Sequence, residues 1–105
     1  MIMEVLHLTP ESYEQLTKQT EKPVLIDFWA TWCGPCKMQG ALIEQKIAPE
    51  HPEIEVLKVN VDEEPGLAAR FGVMSIPTLL LYKDGALVEQ IVGLTKPDEI
   101  LAKLA

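Results

Sequence analysis

The sequence predicts one α/β domain, a central mixed sheet of five strands flanked by four helices. Three observations carry that expectation. Strand-like and helix-like segments alternate through the first two thirds of the chain, which implies parallel strands joined by right-handed crossovers. Two later strand patterns meet at Lys83-Asp84-Gly85, a hairpin signal that adds an antiparallel edge. The chain has 105 residues, 48% hydrophobic and 24% charged, which suits one packed domain that needs no cross-links to hold its fold.

Each element has a local reason. Val5 to Leu8 reads as a short first strand, and Thr9-Pro10 then gives an N-cap with proline at the first helical position. That helix runs to about Thr20 with Tyr13 and Leu16 as its buried stripe, and Lys22-Pro23 breaks it. Val24 to Ala30 is nearly continuously apolar, the pattern of a central strand covered on both faces. A helix follows Cys33-Gly34-Pro35-Cys36 through about Ala48, where Pro49 and Pro52 end it. Ile54 to Val61 is the next strand, and a short helix spans Pro65 to Phe71 before Gly72. Thr78 to Tyr82 and Ala86 to Val92 form the hairpin. Thr95 is placed to cap a last helix, Lys96 to Leu104, with Asp98 at the capping-box position. Residues 1–105 thus form a single domain with no repeats or low-complexity tracts.

Charge and composition exclude several function classes. A net charge of −7 argues against a nucleic-acid surface, which needs clustered Lys and Arg. The run Asp62-Glu63-Glu64 reads as a solvated face or a first helical turn. Met1-Ile2-Met3-Glu4 lacks the basic start and apolar core of a signal peptide, and no run is long enough to span a bilayer. The expected compartment is the cytoplasm, where a close cysteine pair is more often catalytic or metal-binding than structural.

Cys33 and Cys36 lie one helical turn apart at the mouth of a helix. The first sulfur then sits near unpaired backbone N–H groups and the positive end of the helix dipole, which favours the nucleophilic thiolate. Two intervening residues suffice to close a disulfide ring, and Pro35 stiffens the first turn where a missing N–H costs little. A zinc half-site is the competing reading, but zinc needs about four ligands. His7 and His51, the two histidines, do not stand at ligand spacing. The chain carries no dinucleotide fingerprint and no cofactor site of its own.

Other positions stay open on pattern alone. Asp27 is either a buried acid in a covered strand, with a raised pKa, or a strand end turned outward. Lys58 reads as a surface lysine, Trp29 as core, Trp32 as part of an exposed apolar rim, and Pro77 as a trans proline at a strand edge.

The segment Phe28-Trp29-Ala30-Thr31-Trp32-Cys33-Gly34-Pro35-Cys36-Lys37 resembles the active-site segment of the thioredoxin family. The likeness continues through Asp27, Lys58, Asp62, Ile76-Pro77-Thr78, Asp84-Gly85 and Gly93, in order and across essentially the whole chain. It implies the thioredoxin fold and a protein-disulfide reductase that serves as an electron donor in cell redox homeostasis. Cys33 would be the nucleophile, Cys36 the resolving thiol, and Asp27 the buried acid that takes or relays the Cys36 proton. Gly34, Pro35 and Lys58 would tune the site, and Pro77 would be cis and packed against the disulfide. Trp32, Pro35, Met74, Ile76, Val92 and Gly93 would form the rim that docks partners. The resemblance also implies thioredoxin reductase, an NADPH-dependent flavoprotein, as the source of electrons. Disulfide-bearing targets such as ribonucleotide reductase, peroxiredoxins and methionine sulfoxide reductases would receive them from a monomer.

The sequence departs from the family at Gly40-Ala41, where many members carry a kink-forming proline at the second position. Cys36, Gly40, Ile43 and Ile47 share one helical face, whereas Met38 and Leu42 lie nearly opposite. Either the helix packs on two sides, or Gly40 permits a bend without proline. A disulfide oxidase or isomerase is the rival within the enzyme class, and a structural subunit of a larger assembly is the rival outside it. Gly34-Pro35 resembles the dipeptide of the reducing members.

Overall fold

The apolar run after Pro23 becomes the middle of the sheet. In the computed structural model, which describes residues 6–7 and 22–105, β2 (Val24–Trp29) pairs in parallel with β3 (Glu55–Asn60) and antiparallel with β4 (Thr78–Lys83). β1 (Leu6–His7) adds two residues parallel to β3, and β5 (Ala86–Val92) pairs antiparallel with β4. The order is β1-β3-β2-β4-β5. Four strands of six or seven residues carry the mixed sheet, and β1 extends one edge by two. Three helices lie among the described residues: α1 (Gly34–Leu42), α2 (Pro65–Arg70) and α3 (Pro97–Leu104). The helix expected from Pro10 to Thr20 falls outside them, as do Tyr13 and Leu16.

Antiparallel pairing begins earlier than strand–helix alternation suggests. β4 follows a helix, yet it runs against β2. The six residues of α2 span about 9 Å, too little to carry the chain back along a six-residue strand of about 20 Å. The chain therefore leaves β3 and enters β4 at the same end of the sheet, beside the cysteines.

The sheet is covered on both faces. Val24, Ile26 and Phe28 meet Leu57, Val59, Leu80 and the Leu67 and Ala68 side chains of α2 on one face. Leu25, Val56, Leu79 and Leu81 meet Ile43, Ile47, Ile100 and Leu104 on the other. Asp27 shares the second face by strand alternation and is aimed toward α1. The hairpin turn takes positive φ at both Asp84 (53°) and Gly85 (78°), the conformation that matches the twist of two antiparallel strands.

Two expectations change. The helix after the cysteines reaches Ala48 only by switching register: the α-helical bonds stop at Leu42, and Ile43–Ile47 form a π-helical turn closed by Ala48 N–H donating to Ile43 O at 2.9 Å. Ile43 and Ile47 are buried and Met38 is exposed, whereas Leu42, on the Met38 side, is half-buried. The register change stands just past Gly40-Ala41, and π-turns of this kind are found where helices bend without proline. Thr95 does not cap the last helix. Lys96 stands at that position without a side-chain bond, and the Thr95 hydroxyl instead donates to Gly93 O at 3.0 Å.

Candidate active site

Cys33 and Cys36 are joined by a disulfide, with Cα atoms 5.2 Å apart. Cys33 is the N-cap of α1: its backbone is extended, and its Sγ accepts a hydrogen bond from Cys36 N–H at 3.2 Å. A sulfur in that position meets both an orphan donor and the positive helix end, so a thiolate there is stabilised once the bond is reduced. Gly34 and Pro35 open the helix and are exposed, whereas the two sulfur-bearing residues are buried against Ala30, Trp29, Val61 and Ile76. His51 holds Glu53 at 3.0 Å rather than the cysteines. Among the described residues no three of His, Cys, Asp or Glu cluster to hold a metal ion.

Asp27 lies in the middle of β2 and is 1% exposed. Burial pushes its carboxyl from 3.8 up to about 7, the nearby Lys58 ammonium pulling it back and the Glu44 carboxylate pushing it higher. Oδ1 finds no hydrogen-bond partner among the described residues. Lys58 is opposite Asp27 in the β2–β3 ladder. Its Nζ lies 3.7 Å from Glu44 Oε1 and 4.4 Å from the Trp29 ring centre. The surface-lysine reading is thus replaced by a half-buried cation held between an acid and an aromatic face.

Gly40 brings the helix close to this group. A methyl group at Gly40 would touch Lys58 Nζ at 3.7 Å and Asp27 Oδ2 at 4.0 Å. The absence of a side chain leaves a cleft of about 190 Å³ lined by Trp29, Cys36, Lys37, Gly40, Glu44 and Lys58. Cys36 lines this opening, and the buried carboxyl lies behind it, against Gly40.

The Ile76–Pro77 peptide bond is cis, as the resemblance implies and the strand-edge reading does not. Pro77 is buried and half-buried Ile76 packs on the cysteines. Ile76 also lies ahead of the strand ladder, which starts at Thr78. Trp32, Met74 and Ile76 line one apolar cleft of about 400 Å³ with Val61, Val73 and Ser75. Trp32 is 69% and Met74 97% exposed, and the Trp32 indole N–H donates to Asp62 Oδ2 at 2.8 Å. Val92 is exposed opposite Thr78, and Gly93, at φ 97°, donates its N–H to Pro77 O at 2.9 Å. Val92 and Gly93 thus reach the site through Pro77, outside the residues lining the Trp32 cleft.

Sequence reasoning passed over Glu44 and Gln39. Glu44 is eight residues beyond Cys36 and four beyond Gly40, a spacing that could have flagged it. Gln39 is three residues beyond Cys36, a polar residue whose burial no local pattern announces.

Comparison with known proteins agrees with this geometry. The family model Thioredoxin matches residues 4–105. The chain is 44% identical over 98 residues to a thioredoxin of Alicyclobacillus acidocaldarius, covering 93% of this chain and 92% of that one. It is 50% identical over 80 residues to a thioredoxin of Staphylococcus aureus, covering 76% of each. Among solved structures, mitochondrial thioredoxin 3 of Saccharomyces cerevisiae in its oxidised form superposes with a TM-score of 0.85 at 36% identity, over 95% of this chain and 92% of that one.

Proposed function

The chain belongs to the thioredoxin family, protein-disulfide oxidoreductases that work by dithiol–disulfide exchange through a Cys-x-x-Cys pair, and we propose how its own residues divide that work. The Cys33 thiolate attacks one sulfur of a substrate disulfide, forming a mixed disulfide and expelling a substrate thiolate. Cys36, once deprotonated, attacks Cys33 Sγ, expels the second substrate thiolate and leaves Cys33–Cys36 oxidised. Two electrons pass to the substrate. Asp27, whose carboxyl is pushed up to about 7, accepts the Cys36 proton through the cleft beside Gly40 and passes it to solvent.

Ile76 offers its backbone to an extended substrate segment, while Trp32, Met74, Val92 and Gly93 bury the apolar side chains around the target disulfide. Gly34 and Pro35 shape the helix entrance, and Lys58 pulls the carboxyl's burial-raised pKa back down. The protein uses its own disulfide as the redox group. Thioredoxin reductase restores the dithiol, and the acceptors are disulfide-bearing proteins of the cytoplasm, met by a monomer. No helix among the described residues is long and apolar enough to cross a membrane. The observation that carries the reading is Cys33 at the helix N-cap with its Sγ facing an orphan N–H. The test is insulin-disulfide reduction coupled to NADPH oxidation through a thioredoxin reductase: sustained turnover is expected, and none would refute the reductive direction.

A further inference from the structure

We propose that Gln39 is a positioning residue that clamps the docking loop after β5 to the helix carrying the cysteines. Gln39 is fully buried, on the α1 turn that follows Cys36. A buried amide is costly unless both its polar atoms are satisfied, and here a single residue satisfies both. Gln39 Nε2 donates to Thr95 O at 3.1 Å, and Thr95 N–H donates to Gln39 Oε1 at 2.8 Å. The Thr95 hydroxyl donates to Gly93 O at 3.0 Å, and Gly93 N–H donates to Pro77 O at 2.9 Å. The bonds run from the redox helix through Thr95 and Gly93 to the cis-proline, whose neighbour Ile76 packs on the cysteines.

The division of labour follows from where each bond lies. The Cys33–Cys36 ring closes within the first turn of α1, so its sulfur chemistry does not depend on the loop. The distance from Gly93 to the cysteines does depend on it, because residues 93–96 lie outside helix and strand. A substrate segment laid along Ile76 and Gly93 feels that distance, whereas a small disulfide does not. The inference rests on reading Ile76, Val92 and Gly93 as the docking rim.

The test uses the full chain, reduced beforehand and freed of reductant, then mixed with insulin or with the small disulfide dithiobis(nitrobenzoate). Gln39→Leu should lower the rate constant for insulin about tenfold and change that for the small disulfide less than about twofold, since slight misplacement of a positioning element costs that much. Equal losses on both disulfides, or none on either, would overturn the clamp. Gln39→Glu supplies a second readout. Its protonated acid keeps a donor and an acceptor for Thr95, and its carboxylate keeps only the acceptor. Its insulin rate relative to the parent should therefore fall as pH rises, and a flat ratio refutes the proposal even if Gln39→Leu does not fold. Val92→Asp separates the two readings. If it leaves insulin unaffected, the docking rim is wrong; if it slows insulin while both Gln39 variants behave like the parent, the clamp alone is wrong.

Discussion

Replacing Asp27 by Asn removes a charge from the middle of a covered strand while keeping the side chain's shape. The carboxyl titrates near 7 in the fold against 3.8 when free. At 1.36 kcal/mol for each pH unit, the difference is worth ~4 kcal/mol. The sign follows from proton counting. Between pH 4 and pH 7 the folded protein holds a proton that the unfolded chain has lost, so stability falls as pH rises through that window. Below it the carboxyl is neutral in both states, and above it the full cost of the buried charge is present. Urea unfolding of the oxidised protein and its Asp27→Asn variant from pH 4 to pH 8 measures this directly. The stability of the parent relative to the variant should drop by ~4 kcal/mol across the range. Other titrating groups are shared and cancel. A difference that stays constant with pH would show that Asp27 is not a buried, high-pKa acid, and its place in proton transfer would go with it.

Further expectations follow from the neighbours. Lys58→Met removes the cation that pulls the Asp27 carboxyl down, so the same stability window should extend to higher pH; a window unmoved or lowered would contradict the coupling. Asp27→Ala should slow insulin reduction at neutral pH and flatten its pH–rate profile, and an unchanged profile would remove the carboxyl from the mechanism. Leu80→Ala cuts into the centre of β4, where the side chain is 1% exposed, and should cost about 2–5 kcal/mol in urea unfolding. A loss under about 1 kcal/mol would mean the core there is looser than its burial indicates.

Features set by neighbours in sequence are the ones the sequence displays. The cysteine pair is legible because three-residue spacing at a helix start determines which groups meet, and the hairpin is legible because Asp84-Gly85 suits a positive-φ turn. Asp27 is half legible: the apolar run declares a covered strand, but only the strand pairing brings Lys58 opposite the carboxyl and only the packed helix sets Gly40 against it. The cis bond before Pro77 is not encoded in any local preference, which favours trans, and only the resemblance anticipates it. The π-turn at Ile43–Ile47 escapes because α and π registers bury the same isoleucines. Thr95 misleads for a physical reason. It carries a capping residue's chemistry, but Gln39, distant in sequence, takes up its backbone groups and leaves its hydroxyl to Gly93.

The central claim is that Cys33 attacks and Cys36 resolves, and trapping tests it most directly. The Cys36→Ser variant, offered a disulfide-bearing protein and run on a non-reducing gel, should accumulate a mixed disulfide through Cys33, and Cys33→Ser should trap nothing and reduce nothing. Trapping by Cys33→Ser instead, or insulin reduction that survives its loss, would contradict the account.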